Sequence, residues 1–168
     1  MCSSDLTGFS DAAVSPILLV FGAGLAIGNV AGGRLADKGL ARALIVTLGA
    51  LAIVLVVLAA VVSTKALAVA LLFVLGVAAF ATVAPLQLRV LEAAGVEGRT
   101  LASSLNIAAF NLGNALGAWA GGMTIDHGFG LGALPLVAAV ITAIGLLLAL
   151  WSLRLDRPVV LAAQCAAE

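Results

Sequence analysis

Long apolar segments separated by short groups of charged residues define the pattern of this 168-residue chain. Five stretches contain no Asp, Glu, Lys or Arg, and each is at least 22 residues long. A helix rises about 1.5 Å per residue and the hydrocarbon core of a bilayer is about 30 Å thick, so about 20 apolar residues cross it. The pattern therefore predicts five membrane-spanning helices. They lie near residues 15–36, 42–63, 66–89, 100–125 and 129–153.

These apolar stretches do not have the pattern of membrane β-strands. Strands of a transmembrane barrel are about 10 residues long and alternate in polarity, whereas the stretches here are rich in Ala and Leu and show no alternation. The connections between them are short, which favours antiparallel neighbours. The predicted fold class is an all-α, polytopic membrane helix bundle of about five transmembrane helices, with residues 15–157 as the transmembrane domain.

The overall composition agrees with a bilayer environment. The chain is 64% hydrophobic and 10% charged, with a mean hydropathy of +1.27, whereas an ordinary soluble domain has about 25% charged residues. A soluble fold of this length cannot hide so much apolar surface from water, so membrane lipid is the expected surrounding. The net charge is zero, and nothing in the charge pattern indicates nucleic-acid binding.

The basic residues predict the orientation in the membrane. If the loop at 34–42 is cytoplasmic, seven basic residues lie on the cytoplasmic side and only Lys65 lies on the other. Residues 1–14 are then an extracellular or periplasmic loop, and residues 158–168 form a cytoplasmic tail after Pro158, which is expected to end the last helix. The expected location is the cell (inner) membrane. An odd number of spans with an outside N-terminus and no targeting signal favours a chain whose preceding helix is missing.

Two of the predicted helices carry a glycine at every fourth position. The first glycine row is Gly24, Gly28 and Gly32, and the second glycine row is Gly113, Gly117 and Gly121. Residues four apart share one helix face, and glycine there lets two helix backbones approach closely in lipid. Two interpretations stay open: generic close packing, or contact with partners that slide or rock against these faces.

A charged segment follows directly behind the first glycine row. Arg34, Lys38 and Arg42 are explained as ordinary topology determinants, but Asp37 is not, since acidic residues contribute little to orientation. A carboxylate among cations at the membrane surface can accept charge-assisted hydrogen bonds. We therefore expect this segment to hold the loop against another helix end and to release it during a conformational change.

Polar residues inside the predicted spans are the candidates for a substrate cavity, because polar groups at membrane depth must be hydrogen-bonded or face water. The residues selected are Gln87, Ser104, Asn106, Asn111 and Asn114. Hydrogen bonding between helices is the alternative role for each of them. Pro85 lies within the third span and can bend it, either as a gating bend or as a packing kink.

The segment "GGRLADKGLAR" (32–42) resembles the loop signature of the major facilitator superfamily of transporters, Gly-x-Leu-Ala-Asp-Arg/Lys-x-Gly-Arg/Lys-Arg/Lys. The matching positions are Gly33, Leu35, Ala36, Asp37, Lys38 and Arg42. Leu40 and Ala41 depart from the pattern and Gly39 is displaced by one place, which makes the segment similar to the copy in the second half of family members. Residues 97–122 also resemble the turn into the eleventh helix of drug and sugar efflux permeases.

This resemblance covers nearly the whole chain and makes the five spans similar to helices 8–12, in the C-terminal half of the family's fold. It implies a secondary active transporter that moves a small molecule by alternating access, with efflux expected and proton coupling as one option. It also implies that Gly33, Arg34, Asp37, Lys38 and Arg42 belong to a gating loop. The expected partners are a small-molecule substrate and a missing N-terminal half of the same transporter.

A second class of function stays open beside the transporter. The chain is then a non-transporting membrane scaffold or homo-oligomeric subunit, packed through its glycine-rich helix faces. An enzyme is not expected, because no catalytic pair lies within the spans, and neither a cofactor nor a metal site is predicted. Proton-coupled transport generally needs a titratable group inside the membrane. Since no Asp, Glu, Lys or Arg lies in the middle of a span, a proton carrier would lie outside this chain.

Overall fold

The computed structural model describes residues 11–61 and 65–165, and that part of the chain is built from helices joined by short turns. Most of the predicted N-terminal loop and the last three residues of the tail lie outside the described residues. The helices are α1 Asp11–Asp37, α2 Leu40–Val61, α3 Lys65–Ala81, α4 Val83–Asp126 and α5 Leu134–Cys165, with a single turn of 3₁₀ helix at Leu131–Ala133. The all-α fold class is confirmed.

Four helical stretches in the described residues are long and apolar enough to cross a membrane. They are Leu18–Asp37, Leu40–Ala60, Val69–Asp126 and Leu134–Leu155. The third is 58 residues long, whereas one crossing needs about 20 residues. Gly95 interrupts it with non-helical dihedral angles (φ 65°, ψ −174°), so this stretch has the length of two crossings with a turn between them. The chain is therefore a multi-pass membrane protein.

The helices pack as two main pairs, α1 on α3 and α2 on α5, and α2 also contacts α3. Along α2, the buried positions Ala43, Leu44, Leu48 and Leu55 form the interior of the bundle. Much of the remaining apolar surface is exposed; Leu19, Leu147 and Trp151 are examples. Exposed apolar side chains are the expected outer surface of a bundle in lipid, because lipid tails are themselves apolar.

The structure divides the third predicted span between two helices, α3 and α4. A helix near 66–89 was expected, but the hydrogen-bond pattern changes at Thr82, which separates α3 from α4. Pro85 has no N–H to donate to the carbonyl oxygen of Ala81, four residues earlier. The Thr82 hydroxyl donates instead to the carbonyl oxygen of Ala79 at 2.6 Å, and the backbone N–H of Thr82 donates to the same oxygen at 3.3 Å.

Two further boundaries differ from the sequence prediction. The connection between the third and fourth predicted spans, residues 90–99, is helical up to residue 94, and the change of direction is concentrated at Gly95. Its positive φ is a left-handed conformation that glycine adopts without steric cost. The last helix was expected to end before Pro158, but α5 continues to Cys165. A proline inside a helix removes a single backbone donor, so the helix can continue past it with a local distortion.

Candidate functional site

The first glycine row lies directly against the backbone of α3. A Cβ atom on Gly24 would lie 2.6 Å from the carbonyl oxygen of Phe73, and a Cβ atom on Gly28 would overlap the carbonyl oxygen of Val77. The α-hydrogens of both glycines therefore point at carbonyl oxygens. Such Cα–H···O contacts contribute about 0.5–1 kcal/mol each at helix–helix interfaces. No residue with a side chain fits at these positions while α1 and α3 keep this separation.

The third glycine of the row extends the same register to the end of α3. A Cβ atom on Gly32 would overlap the carbonyl oxygen of Ala81 and come within 2.9 Å of its Cα atom. This is the carbonyl that Pro85, lacking an N–H, cannot bond. Gly32 thus approaches the backbone group that the helix itself leaves without its usual donor. Pro85 is fully buried beside this contact.

The second glycine row has a different environment. A Cβ atom on Gly113 or Gly117 would meet no atom within 4 Å, and one on Gly121 would make ordinary contact with Leu134 at 3.6 Å. Nearly all residues from Leu105 to Trp119 are exposed as well. Within the described part of the chain, the first glycine row is therefore covered by α3, and most of the second is uncovered.

The charged segment forms the turn between α1 and α2. Asp37 ends α1, and Gly39 turns the chain with a positive φ of 149° before α2 begins at Leu40. The side chains of Arg34, Asp37, Lys38 and Arg42 are all exposed. Within the described residues, no ion pair joins Asp37 to the three cations around it. The carboxylate therefore faces solvent and is accessible to a group from outside this bundle.

A contact between α4 and α5 places other charged residues at the same end of the bundle. Arg89 Nη2 donates to Ser152 Oγ at 3.3 Å, so the first part of α4 lies beside the C-terminal part of α5. Gly32, five residues before the end of α1, lies against Ala81 at the start of this region. The turn at Gly39, the turn at Gly95 and the segment around Arg154 consequently lie at one end of the bundle.

This arrangement predicts the accessibility of individual positions in sealed membrane vesicles. Single cysteines replacing Lys38 and Arg99 are expected to react with a membrane-impermeant maleimide from the same side. A cysteine replacing Phe129, which is exposed in the turn after α4, is expected to react only from the opposite side. Labelling of the first two positions from different sides would contradict the topology.

The polar residues selected from the sequence lie along α4. Ser104, Asn111 and Asn114 are exposed, whereas Gln87 and Asn106 are half-buried. The Ser104 hydroxyl donates to the carbonyl oxygen of Thr100 at 3.1 Å. The described residues do not gather the five side chains into one enclosed cavity. Those in the second part of α4 lie along the stretch that contains the uncovered second glycine row.

A cavity of about 430 Å³ lies at the other end of the bundle, between α4 and α5. Its walls are mostly apolar and include Met123, Phe129, Leu136 and Val137. His127 also lines it, with Nδ1 2.8 Å from the carbonyl oxygen of Met123. Nothing in the sequence pattern indicates this cavity, because its apolar residues have no spacing that sets them apart from the rest of the spans. The wall chemistry fits an apolar group.

No group of three or more His, Cys, Asp or Glu side chains in the described residues is arranged to hold a metal ion. The notable features of the structure are thus a tightly interlocked helix pair, an uncovered helix with small and polar residues, and a charged turn. The model of the Major Facilitator Superfamily matches residues 3–163.

The chain belongs to the Major Facilitator Superfamily.

Curated members of the superfamily resemble the chain over most of its length. It is 39% identical over 141 residues to the inner membrane transport protein YdhP of Escherichia coli (strain K12), an alignment that covers 84% of this chain and 36% of YdhP. It is 37% identical over 145 residues to the uncharacterized MFS-type transporter YtbD of Bacillus subtilis (strain 168), covering 82% of this chain and 37% of YtbD. The chain therefore spans little more than a third of the length of these relatives. No solved structure gives a significant match.

Proposed function

We propose that this chain is part of a secondary active transporter that moves a small molecule across the cell (inner) membrane by alternating access. Family membership and the names of the relatives support a transport role over an enzymatic one. The observation that carries the proposal is the contrast between the glycine rows, with the first covered by α3 and most of the second uncovered. Efflux is the proposed direction, from the resemblance to efflux permeases.

Alternating access needs a second body against which this bundle can rock. The chain covers about 36% of the length of YdhP, and we propose that helices from the rest of the transporter form that body. The uncovered face of α4 suits such a contact, since Gly113 and Gly117 allow close approach of another helix backbone.

The substrate path is proposed to run along the same helix. Asn111 and Asn114 are exposed on α4, and half-buried Asn106 lies further toward the charged end. Amide side chains offer both donors and acceptors, which suits a small polar molecule between the two bodies. Gln87 and Ser104 extend this set of polar groups toward the charged end of the bundle.

The charged turn is proposed to be the cytoplasmic contact of this bundle with the second body. The basic residues at this end favour the cytoplasmic side by the positive-inside rule, which leaves the N-terminus outside and the C-terminus in the cytoplasm. Asp37 has no ion-pair partner among the described residues, so its carboxylate can bind donors of the second body in one conformation and release them in the other. Charge-assisted hydrogen bonds of this kind are stronger than neutral ones.

The Asp37→Asn variant is expected to lower the transport rate at least tenfold while the amount of protein in the membrane stays normal, because an amide keeps the size of the side chain and removes its charge. The measurement uses inside-out vesicles incubated with a cell extract, with accumulated solutes identified by mass spectrometry. Glu97→Gln is the control, since Glu97 is exposed at the same end of the bundle but outside the charged turn. An Asp37→Asn protein that transports at the wild-type rate would rule out the proposed contact.

The scaffold interpretation is supported by the same uncovered helix, which could contact a second copy of this chain. The vesicle experiment separates the two functions. A transporter causes at least one solute to accumulate in vesicles that contain it and not in vesicles that lack it. A scaffold causes no such difference, and its cysteine variants at Gly117 would cross-link copy to copy.

A further inference from the structure

The end of α1 and the end of α4 share a repeated sequence pattern. Eight of the sixteen positions from Gly24 to Gly39 carry the same residue 89 positions later in the chain. These positions are Gly24, Ala26, Gly28, Ala31, Gly32, Gly33, Asp37 and Gly39, which correspond to Gly113, Ala115, Gly117, Ala120, Gly121, Gly122, Asp126 and Gly128. The repeat therefore continues from the two glycine rows into the turns that follow them. The charged turn has a counterpart at residues 126–128, which we name the Asp126 turn.

The backbones of the two turns are similar. Asp37 is the last residue of α1, and Asp126 is the last residue of α4. Two residues later in each turn a glycine has a positive φ, 149° at Gly39 and 78° at Gly128. The N–H of each glycine donates to the carbonyl oxygen three residues earlier, at 3.1 Å in the charged turn and at 2.9 Å in the Asp126 turn. A carboxylate thus occupies the same position in both turns.

The two turns lie at opposite ends of the bundle. Helix α1 ends at the charged turn, whereas the second part of α4 begins after Gly95, at that same end, and finishes at the Asp126 turn. Residues 96–126 exceed the roughly 20 residues that one crossing needs. The repeat is therefore inverted, with the same pattern ending at one surface of the membrane in α1 and at the other surface in α4.

The Asp126 turn presents hydrogen-bond acceptors. The side chains of Asp126 and His127 are exposed, and no ion pair within the described residues involves Asp126. His127 Nδ1 lies 2.8 Å from the carbonyl oxygen of Met123. A carbonyl oxygen only accepts, so Nδ1 is the protonated nitrogen in this contact, and Nε2 of the neutral ring is left as an acceptor. The turn therefore offers a carboxylate and a ring nitrogen to donors from outside this bundle.

An apolar cavity adjoins these acceptors. The cavity of about 430 Å³ between α4 and α5 is lined by His127 and also by Phe129 and Leu136. Side chains that anchor one body on another usually fill pockets of this kind. The end of the bundle that carries the Asp126 turn can thus receive an apolar side chain beside a polar contact.

We propose that the Asp126 turn is a second contact with the rest of the transporter, formed when the charged turn is released and broken when the charged turn binds. The inference rests on the proposed alternating access. Because the two turns lie at opposite ends of the bundle, rocking that brings the second body onto one turn moves it away from the other. The partner is a helix end of the second body that carries hydrogen-bond donors for Asp126 and an apolar side chain for the cavity.

Cysteine accessibility tests this contact in the natural protein, in membrane vesicles, after Cys2 and Cys165 are replaced by serine. The reporter is a single cysteine replacing Ile107, which is exposed on α4 and lies four residues before Asn111, on the same helix face. Its rate of reaction with a membrane-impermeant maleimide is measured from each side, in right-side-out and inside-out vesicles. The ratio of the rate from the side of the Asp126 turn to the rate from the side of the charged turn reports the balance between the two conformations.

The Asp126→Asn variant is expected to raise this ratio about fivefold or more, because loss of the charge weakens closure on the side of the Asp126 turn. The Asp37→Asn variant is expected to shift the ratio in the opposite direction. The Asp126→Glu variant keeps the charge and is the matched control, with a ratio close to that of the protein with Asp126.

The two substitutions together distinguish failure of this contact from failure of the proposed function. A ratio that stays unchanged in Asp126→Asn but shifts in Asp37→Asn would overturn the second contact and leave the proposed transport mechanism in place. A ratio that is unchanged in both variants, or a reporter that reacts from one side only in every variant, would overturn alternating access and this inference with it.

Discussion

Replacing Gly28 by alanine is expected to destabilise the folded protein strongly. The added methyl group would overlap the carbonyl oxygen of Val77 and lie 2.9 Å from the Val77 Cα atom. Both are backbone atoms, so no side chain can rotate away, and α1 must move off α3. Overpacking of this kind costs about 1–3 kcal/mol or more, and loss of the neighbouring glycine contacts adds to it. Thermal unfolding in detergent, followed by fluorescence-detected size exclusion, measures the effect as a melting temperature lowered by several degrees or as loss of the monodisperse peak.

The matched control for this prediction is Gly22→Ala in the same helix. Gly22 is exposed, and a Cβ atom there would meet nothing within 4 Å. Because alanine favours helix over glycine by about 1 kcal/mol, this variant is expected to be neutral or slightly stabilised. If the Gly28→Ala and Gly22→Ala proteins unfold at the same temperature, α1 does not pack on α3 in the register described.

Replacing Gly117 by leucine is expected to leave folding normal and to abolish transport. A Cβ atom built on Gly117 meets no atom within 4 Å, and the residues around Gly117 on α4 are exposed, so we expect the bundle to accommodate the leucine. The leucine would instead occupy the space in which the proposed second body must approach α4. Transport in the vesicle assay is expected to fall to the level of vesicles without the protein, while the melting temperature stays within a few degrees of wild type.

The Gly145→Leu variant is the control that distinguishes loss of the contact with the second body from a general effect of a bulky side chain. Gly145 lies on α5 and also has no atom within 4 Å of a built Cβ, but it lies outside the proposed contact between the two bodies. Its transport rate is expected to match wild type. Should Gly117→Leu transport as well as Gly145→Leu, the second glycine row would not face the rest of the transporter.

The glycine spacing shows how far the sequence alone can lead. A glycine at every fourth position predicts a helix face suited to close packing, since it depends only on helical periodicity. The spacing does not reveal what the face packs against, because that depends on how the other helices are arranged. Both rows look alike in the sequence, yet Gly28 meets the backbone of α3 and Gly117 meets open space.

The helix boundaries show the same limit in a different way. The length of an apolar stretch locates the membrane crossings well, because the thickness of the hydrocarbon core sets the length that a crossing needs. It cannot locate the interruption at Thr82, which follows from the missing donor at Pro85. It also cannot locate the turn at Gly95, because nothing in the sequence shows which of the 19 glycines adopt a left-handed conformation. The predicted spans left residues 90–99 as a connection, but a helix that carries charged residues can extend beyond the lipid.

The interlock of α1 with α3 also constrains the order in which the protein is assembled. The two helices are not consecutive, since α2 lies between them in the chain. When α1 leaves the ribosome, the surface that its glycines require has not yet been synthesised. Helix α1 must therefore remain beside the insertion machinery, with its glycine face uncovered, until α3 has been synthesised. During this interval α1 is most accessible to quality-control proteases.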